Sequence, residues 1–216
     1  MKQATWRYLE DEDAHVDSAL RQNVKKNMHA AVRRTTRTNE EGKHVKVKWH
    51  IRHHIKPGDI GYIIYLHGIL YAKEFGYDQT FESYVAAGLA EFIQSFSPSE
   101  DRIWLAEISG RIIGSIAIVG HSREAAQLRW FLVHPDYRGL GLGKELLKKA
   151  LQFCKKRKHE TIFLWTTSEL KEAGHLYTRF GFIKTEEKTH QIWGKKVTEE
   201  RYRLPLQDIV SCLKPT

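Results

Sequence analysis

A chain of 216 residues and 25.2 kDa has room for one domain with a full core plus a smaller extension, and two full-sized domains would be cramped. Its composition, 41% hydrophobic, 28% charged and 11% aromatic, excludes a disordered or fibrous chain, and no apolar run approaches the roughly 20 residues needed to span a bilayer. A formal charge of +9 with a pI near 9.5 favours anionic partners: nucleic acid, an acidic membrane surface or a small molecule bearing polyphosphate.

The opening residues MKQATWRYLEDEDAH carry no apolar signal core, so the expected location is the cytoplasm. Residues 1–47 read as a basic extension. Val16, Leu20 and Val24 recur at helical spacing there, which predicts one amphipathic helix ending before TNEEGK. The texture changes at about Lys48, and residues 48–216 read as the folded domain.

KWHIRHHI alternates like a strand. KPGDI then supplies a turn, with Asp59 as the candidate N-cap of a helix over IGYIIYLHGILYAKEFG. Phe81, Tyr84, Val85, Leu89 and Phe92 share one face of a second helix. RIWLAEISGRIIGSIAIVG predicts a hairpin turning at Ser109-Gly110, and AAQLRWFLVHP a third strand closed by Pro135.

Leu147, Ala150, Leu151 and Cys154 form one face of the next helix, whose C-terminal end gathers Lys155, Lys156, Arg157 and Lys158 where the helix dipole favours cations. TIFLWT is a short strand. SELKEAGHLYTRF is a helix with Thr166 and Glu169 available as a capping box and Gly181 as its stop, and GFIKTEEK and EERYRLPL are two further strands.

Cys154 and Cys212 are far apart and in no C-x-x-C arrangement, so neither a disulfide nor a thiolate metal site is expected. Cys154 reads as a small buried hydrophobe. The histidines of WHIRHHI are strand-spaced without acidic neighbours, and no metal is expected.

The stretch HPDYRGLGLGKELLKK sets bare backbone at a helix N-terminus. Unpaired amides and the helix dipole make such a terminus an anion site, and glycines let phosphate oxygens approach. A Walker A loop is one residue too short here, with Glu145 after Lys144; a dinucleotide fingerprint fails on spacing and on context. The pattern that fits is [QR]-x-x-G-x-[GA], met by Arg138, Gly141 and Gly143.

On these residues the chain resembles the GNAT superfamily of acetyl-CoA-dependent N-acetyltransferases. The order of elements from Trp49 to Leu206 agrees, as does a second motif, A-x-x-L-Y-x-x-x-G-F, met by Ala173, Leu176, Tyr177, Gly181 and Phe182. The wording of KPGDIGYIIYLHGILYAKEFGYDQTF and LWTTSEL further resembles the acetyltransferase half of bacterial proteins that fuse it to a MarR-type regulator. The leader before Lys48 is too short and polar for the winged helix, which is expected to be absent.

The resemblance implies an α+β fold in αβα layers, with a mixed, mostly antiparallel central sheet flanked by helices. It implies acetyl-CoA as cosubstrate and direct attack by a primary amine: a small amine, an amino acid, or a protein N-terminus or lysine. Phe131, Leu132 and Val133 would lie at a strand bulge along the pantetheine. The amides of Arg138, Gly139, Leu140, Gly141, Leu142, Gly143 and Lys144 would hold the pyrophosphate, with Arg138 and Lys144 as the nearest cations.

Tyr177 matches the tyrosine that protonates the departing thiolate. Leu170 stands where many relatives carry an asparagine touching the pantetheine, and Ser168 or Thr167 would take over that contact beside Ala173. Glu107, Glu74, Glu82 and His190 are candidate bases, with water as the alternative. An aromatic acceptor pocket would draw on Tyr62, Tyr65, Tyr71, Phe75, Phe81 or Trp193. A rival reading is an acetyl-CoA-binding, nucleic-acid-associated regulator with little turnover, touching phosphate through Lys25, Lys26, Arg33, Arg34 and Arg37. A homodimer is compatible with either.

Overall fold

RIWLAEI and RIIGSIAIVG leave no polar face to turn to water, and they form the middle of a sheet covered on both sides. The computed structural model describes residues 48–122 and 124–208. The helix expected around Val16, Leu20 and Val24, the basic residues Lys25, Lys26, Arg33, Arg34 and Arg37, and Cys212 lie outside the described residues.

In chain order the elements are β1 (His50–Arg52), α1 (Asp59–Phe75), α2 (Gln79–Gln94), β2 (Arg102–Ile108), β3 (Arg111–Gly120), β4 (Ala125–Val133), α3 (Leu142–Lys156), β5 (Thr161–Thr167), α4 (Lys171–Arg179), β6 (Ile183–Ile192) and β7 (Lys195–Pro205). The strands make one sheet in the order β1-β2-β3-β4-β5-β7-β6. All neighbours are antiparallel except β4 and β5. This is the mixed, helix-flanked α+β sheet expected from the sequence.

Strand alternation divides the core between the faces. Ile103 and Leu105 of β2 join Ile63, Leu66, Val85, Leu89 and Phe92 beneath α1 and α2. Trp104, between them in sequence, points the other way and meets Phe153 of α3 edge-on at 5.7 Å. Leu147, Ala150, Leu151 and Cys154 are all fully buried, and burial pushes the Cys154 thiol pKa up. Where α3 crosses β3, a Cβ on Gly114 would lie 3.0 Å from the Leu132 carbonyl oxygen and 3.3 Å from Leu146, so the helix sits close because residue 114 has no side chain.

Several local expectations are corrected. Gly58, at φ 92°, is the N-cap of α1. Asp59 is drawn instead to the buried Arg52, which donates to it at 2.6 and 2.7 Å and to Glu107 at 2.7 Å. β1 is three residues long and ends at Arg52. The Thr166–Glu169 capping box does not form: Thr166 stays in β5 and α4 begins after Leu170. Glu169 accepts from Tyr77 at 2.9 Å and from Lys195 at 2.6 Å, so its carboxylate is already taken. β6 and β7 run past their expected ends and meet in a tight turn at Trp193-Gly194, φ 52° and 79°. Tyr84, placed on the buried face of α2, is 50% exposed.

Arg52 and Asp59 side chains are 3% and 9% exposed. Burial acts to raise the Asp59 pKa, but the bonds from Arg52 overcome it and the carboxyl sits below its usual value. Arg52→Met leaves two buried carboxylates unpaired and is expected to lower stability by about 3 kcal/mol at pH 7. Because the Asp59 pKa is depressed on folding, the deficit is full above the unfolded carboxyl value and shrinks as pH falls through the folded one. Urea midpoints of both proteins at neutral and acid pH check this.

Candidate active site

β4 and β5 pair only from Ala125–Gln127 against Thr161–Phe163, and beyond that they separate. On the other side of β4 the register slips: Ser115 faces Leu132 and Ala117 faces Arg129, so Trp130 and Phe131 stand opposite Ile116 alone. Trp130 has φ 45°, a conformation that costs a bulky residue on the order of 1 kcal/mol or more. Two contacts hold it there. The Ser115 hydroxyl donates to the Trp130 carbonyl at 2.7 Å, and the indole packs on Phe92 at 5.3 Å. The bulge thus centres on Trp130 and Phe131, one residue upstream of the expected span. Leu132 and Val133 resume pairing with β3; with the His134 amide on the Ile113 carbonyl, alternation turns the Leu132 peptide groups to β3 and those of Val133 to the side where β4 and β5 part.

After β4 a single turn, Pro135–Tyr137, leads into the glycine loop. The Arg138 amide donates to the Pro135 carbonyl at 3.1 Å and is not available to a ligand. Among the described residues the amides of Gly139, Leu140, Gly141, Leu142, Gly143 and Lys144 donate to no acceptor, and the first bond of α3 runs from Glu145 to Gly141. Leu140 is half-exposed and Leu142 fully buried, so each offers the loop its main chain.

Two of the glycines do different jobs. Gly141 has φ 92°, which disfavours any side chain. Gly143 is limited only by neighbours: a Cβ would meet Phe131 at 3.5 Å and Leu176 and Val133 at 3.6 Å. That is room for one methyl group.

Arg138 is not a free cation. Its Nε donates to the Val133 carbonyl at 3.0 Å, and its two terminal nitrogens donate to Glu74 of α1 at 2.7 and 3.0 Å. It braces the loop against the end of β4 and against α1. Lys144 is exposed beside the same amides.

At the gap between β4 and β5, a cavity is walled by α1 and α2 on one side and by β7 and the Trp193 turn on the other. Tyr177 reaches it from α4. The Tyr177 residue is 4% exposed and its ring sits among Phe131, Phe182 and Tyr202 at 5.7 to 6.1 Å. Its hydroxyl has no hydrogen-bond partner among the described residues, although it is not sealed from the cavity. Burial, then the nearby Tyr71 phenol, push its pKa up, which keeps the proton in place. Tyr71 itself is pushed up to about 12, chiefly by burial.

Thr167 and Leu170 line the cavity, whereas Ser168 and Ala173 do not. The Thr167 hydroxyl is 3.1 Å from that of Tyr77, whose own proton goes to Glu169. Thr167 therefore donates to Tyr77 and keeps a lone pair free. Of the expected aromatic residues, Tyr71, Phe81 and Trp193 line the cavity; Tyr62, Tyr65 and Phe75 do not.

None of the four candidate bases lines it either. Glu107 is held by Arg52, Glu74 by Arg138, His190 stands 3.5 Å from Glu199, and Glu82 lies over Gly68. The residue sequence reasoning missed is His67. It is 3% exposed, and its Nδ1 donates to the Ile63 carbonyl at 2.9 Å, which leaves Nε2 as a lone-pair acceptor at the cavity. Burial brings its pKa down to about 4, so it is neutral at pH 7. A histidine one turn from Ile63 on an apolar helix face carries no signal of this.

The family model of the acetyltransferase (GNAT) family matches residues 69–182. The chain belongs to the GNAT acetyltransferase family. A similar relative is an uncharacterized N-acetyltransferase of Methanocaldococcus jannaschii, 34% identical over 93 residues, which are 40% of this chain and 41% of that one. Another, from Schizosaccharomyces pombe, is 31% identical over 122 residues, 56% of this chain and 74% of its own. This GNAT chain therefore spans less than half the length of the first relative. In fold it is similar to the spermidine N-acetyltransferase of Vibrio cholerae, solved with CoA and spermine, at TM-score 0.59 and 17% identity over 76% of this chain and 98% of that one.

Among the described residues no group of His, Cys, Asp and Glu is placed to hold a metal ion, His50, His53 and His54 included. No described helix of this GNAT chain is long and apolar enough to cross a membrane.

The two glycines predict opposite outcomes. Gly141→Ala forces a side chain to positive φ at a cost of about 1–2 kcal/mol, expected as a fall of about 3–6 °C in thermal midpoint. Gly143→Ala fits the space and is expected to stay within about 1 °C of the parent. Differential scanning calorimetry of the two variants distinguishes them.

Proposed function

We propose that the protein transfers the acetyl group of acetyl-CoA to a primary amine by direct attack. The unbonded amides from Gly139 to Lys144 hold the diphosphate, and Lys144 adds charge. Arg138 acts by bracing that loop. The pantetheine arm lies along Phe131, Leu132 and Val133 in the gap, where the Val133 carbonyl is engaged by Arg138 and its amide is left for the ligand, and the Thr167 lone pair supplies a contact where many relatives place an asparagine at position 170.

The neutral amine enters from the cavity, and its nitrogen attacks the thioester carbonyl carbon. The C–S bond then breaks and the departing sulfur takes the Tyr177 proton. The nitrogen loses its extra proton through water in the cavity, and that proton restores the Tyr177 hydroxyl. His67, uncharged near neutral pH, orients the amine by accepting a hydrogen bond at Nε2. The products are an N-acetyl amide and free coenzyme A thiol.

The observation that carries the reading is the Tyr177 hydroxyl, deeply placed, raised in pKa and without a partner among the described residues, at the edge of the strand gap. A tyrosine kept for packing alone would be expected to satisfy its hydroxyl within the core. Tyr177→Phe keeps the ring and removes the proton. It is expected to lower kcat about 100-fold while KM for acetyl-CoA stays within about threefold. Thiol release measured against an amine panel checks this, and an unchanged kcat removes Tyr177 from the acid role.

A further inference from the structure

Arg129 directly precedes Trp130 on β4, and the bulge leaves both side chains against α2. The guanidinium carbon lies 4.4 Å from the centroid of the Trp130 ring. A Cβ on Gly88 of α2 would come within 2.7 Å of an Arg129 terminal nitrogen and 3.3 Å of the Trp130 ring. Glycine at 88 is what admits the stacked pair beneath the helix.

This guanidinium lines the cavity, yet among the described residues it makes no hydrogen bond and no ion pair. Arg52, Arg138 and Arg201 each hold a carboxylate. The carboxylate that shares the cavity with Arg129, Glu199, stands beside His190 instead.

We propose that Arg129 binds a carboxylate of the acceptor, so that the substrate is an amino acid or another small amine that carries a carboxylate. The proposal rests on the acetyl-transfer reading above. A guanidinium seated over an indole, with no carboxylate paired to it among the described residues, has N–H groups to grip a carboxylate with two parallel hydrogen bonds. The same cavity presents Glu199 and the Nε2 lone pair of His67 to the ammonium end, so its polar groups complement a zwitterion. A polyamine would use Glu199 for one ammonium but bring no anion to Arg129.

The test compares L-leucine and L-phenylalanine with their C-terminal amides as acceptors, by thiol release from acetyl-CoA. The amides have less basic amines and would react faster without recognition. The expected result is that kcat/KM favours each amino acid over its amide by about tenfold or more. Arg129→Met is expected to bring that ratio close to one, with acetyl-CoA affinity by calorimetry unchanged. Arg129→Lys, which keeps the charge and loses the planar fork, gives an intermediate ratio and guards against a misfolded methionine variant. Gly88→Ala, which pushes the guanidinium off its seat, lowers the ratio in the same direction. Preference for the amides, turnover of neither series, or a ratio that survives Arg129→Met overturns the proposal alone. Failure of the unaltered protein to bind acetyl-CoA overturns the acetyl-transfer reading and this proposal with it.

Discussion

The separation of β4 from β5 is the constraint on which the site depends. A continuous sheet has no interior opening, because each strand edge is saturated by its neighbour. Here the two central strands hold each other for three register pairs and then part, which leaves backbone donors and acceptors unspent in the middle of the fold. The parting is tied to Trp130. Its positive φ and its carbonyl bond to Ser115 turn β4 while its outer edge stays on β3. The indole, packed on Phe92, anchors that turn in the core beneath α2. A locally unfavourable backbone is thus held by tertiary contacts, as strained functional sites commonly are.

Much of the architecture was legible from periodicity because burial and sequence pattern agree there. The central strands, the Ser109-Gly110 hairpin and the apolar face of α3 have little competition from side-chain chemistry. The two misread helix starts share one cause: a polar side chain that local rules assign to a cap was claimed by another side chain. Asp59 went to Arg52, and Glu169 went to Tyr77 and Lys195. The β6–β7 hairpin was under-read because its strands are largely solvent-facing, so little apolar alternation marks them.

The site was legible in its loop and less so in its cavity. Gly141 and Gly143 are short-range signals, since a positive φ and a close helix approach are properties of a few residues. Arg138 matched the motif, yet its charge is spent on Glu74, sixty-four positions away, which local spacing cannot reveal. His67, Arg129 and Gly88 come from three separate elements. Their juxtaposition is a property of the bulge and of helix packing, and nothing in the immediate neighbourhood of any one of them marks it.

Charge operates at two ranges in this molecule. The surplus of +9 raises the local concentration of anions around the chain, a long-range effect weakened by salt. Inside the cavity the balance is different: aromatic rings form much of the lining and His67 is neutral, so single charges such as Arg129 and Glu199 act over short distances in a medium less polar than bulk water. A guanidinium without a carboxylate is tolerable there because it stays partly exposed and lies on the electron-rich face of Trp130. The same arrangement keeps it ready for an anion, since a ligand carboxylate would displace loosely held water instead of an existing ion pair. The surface charge therefore bears on how often an anion arrives, and the stacked pair on which one is held beside the strand gap.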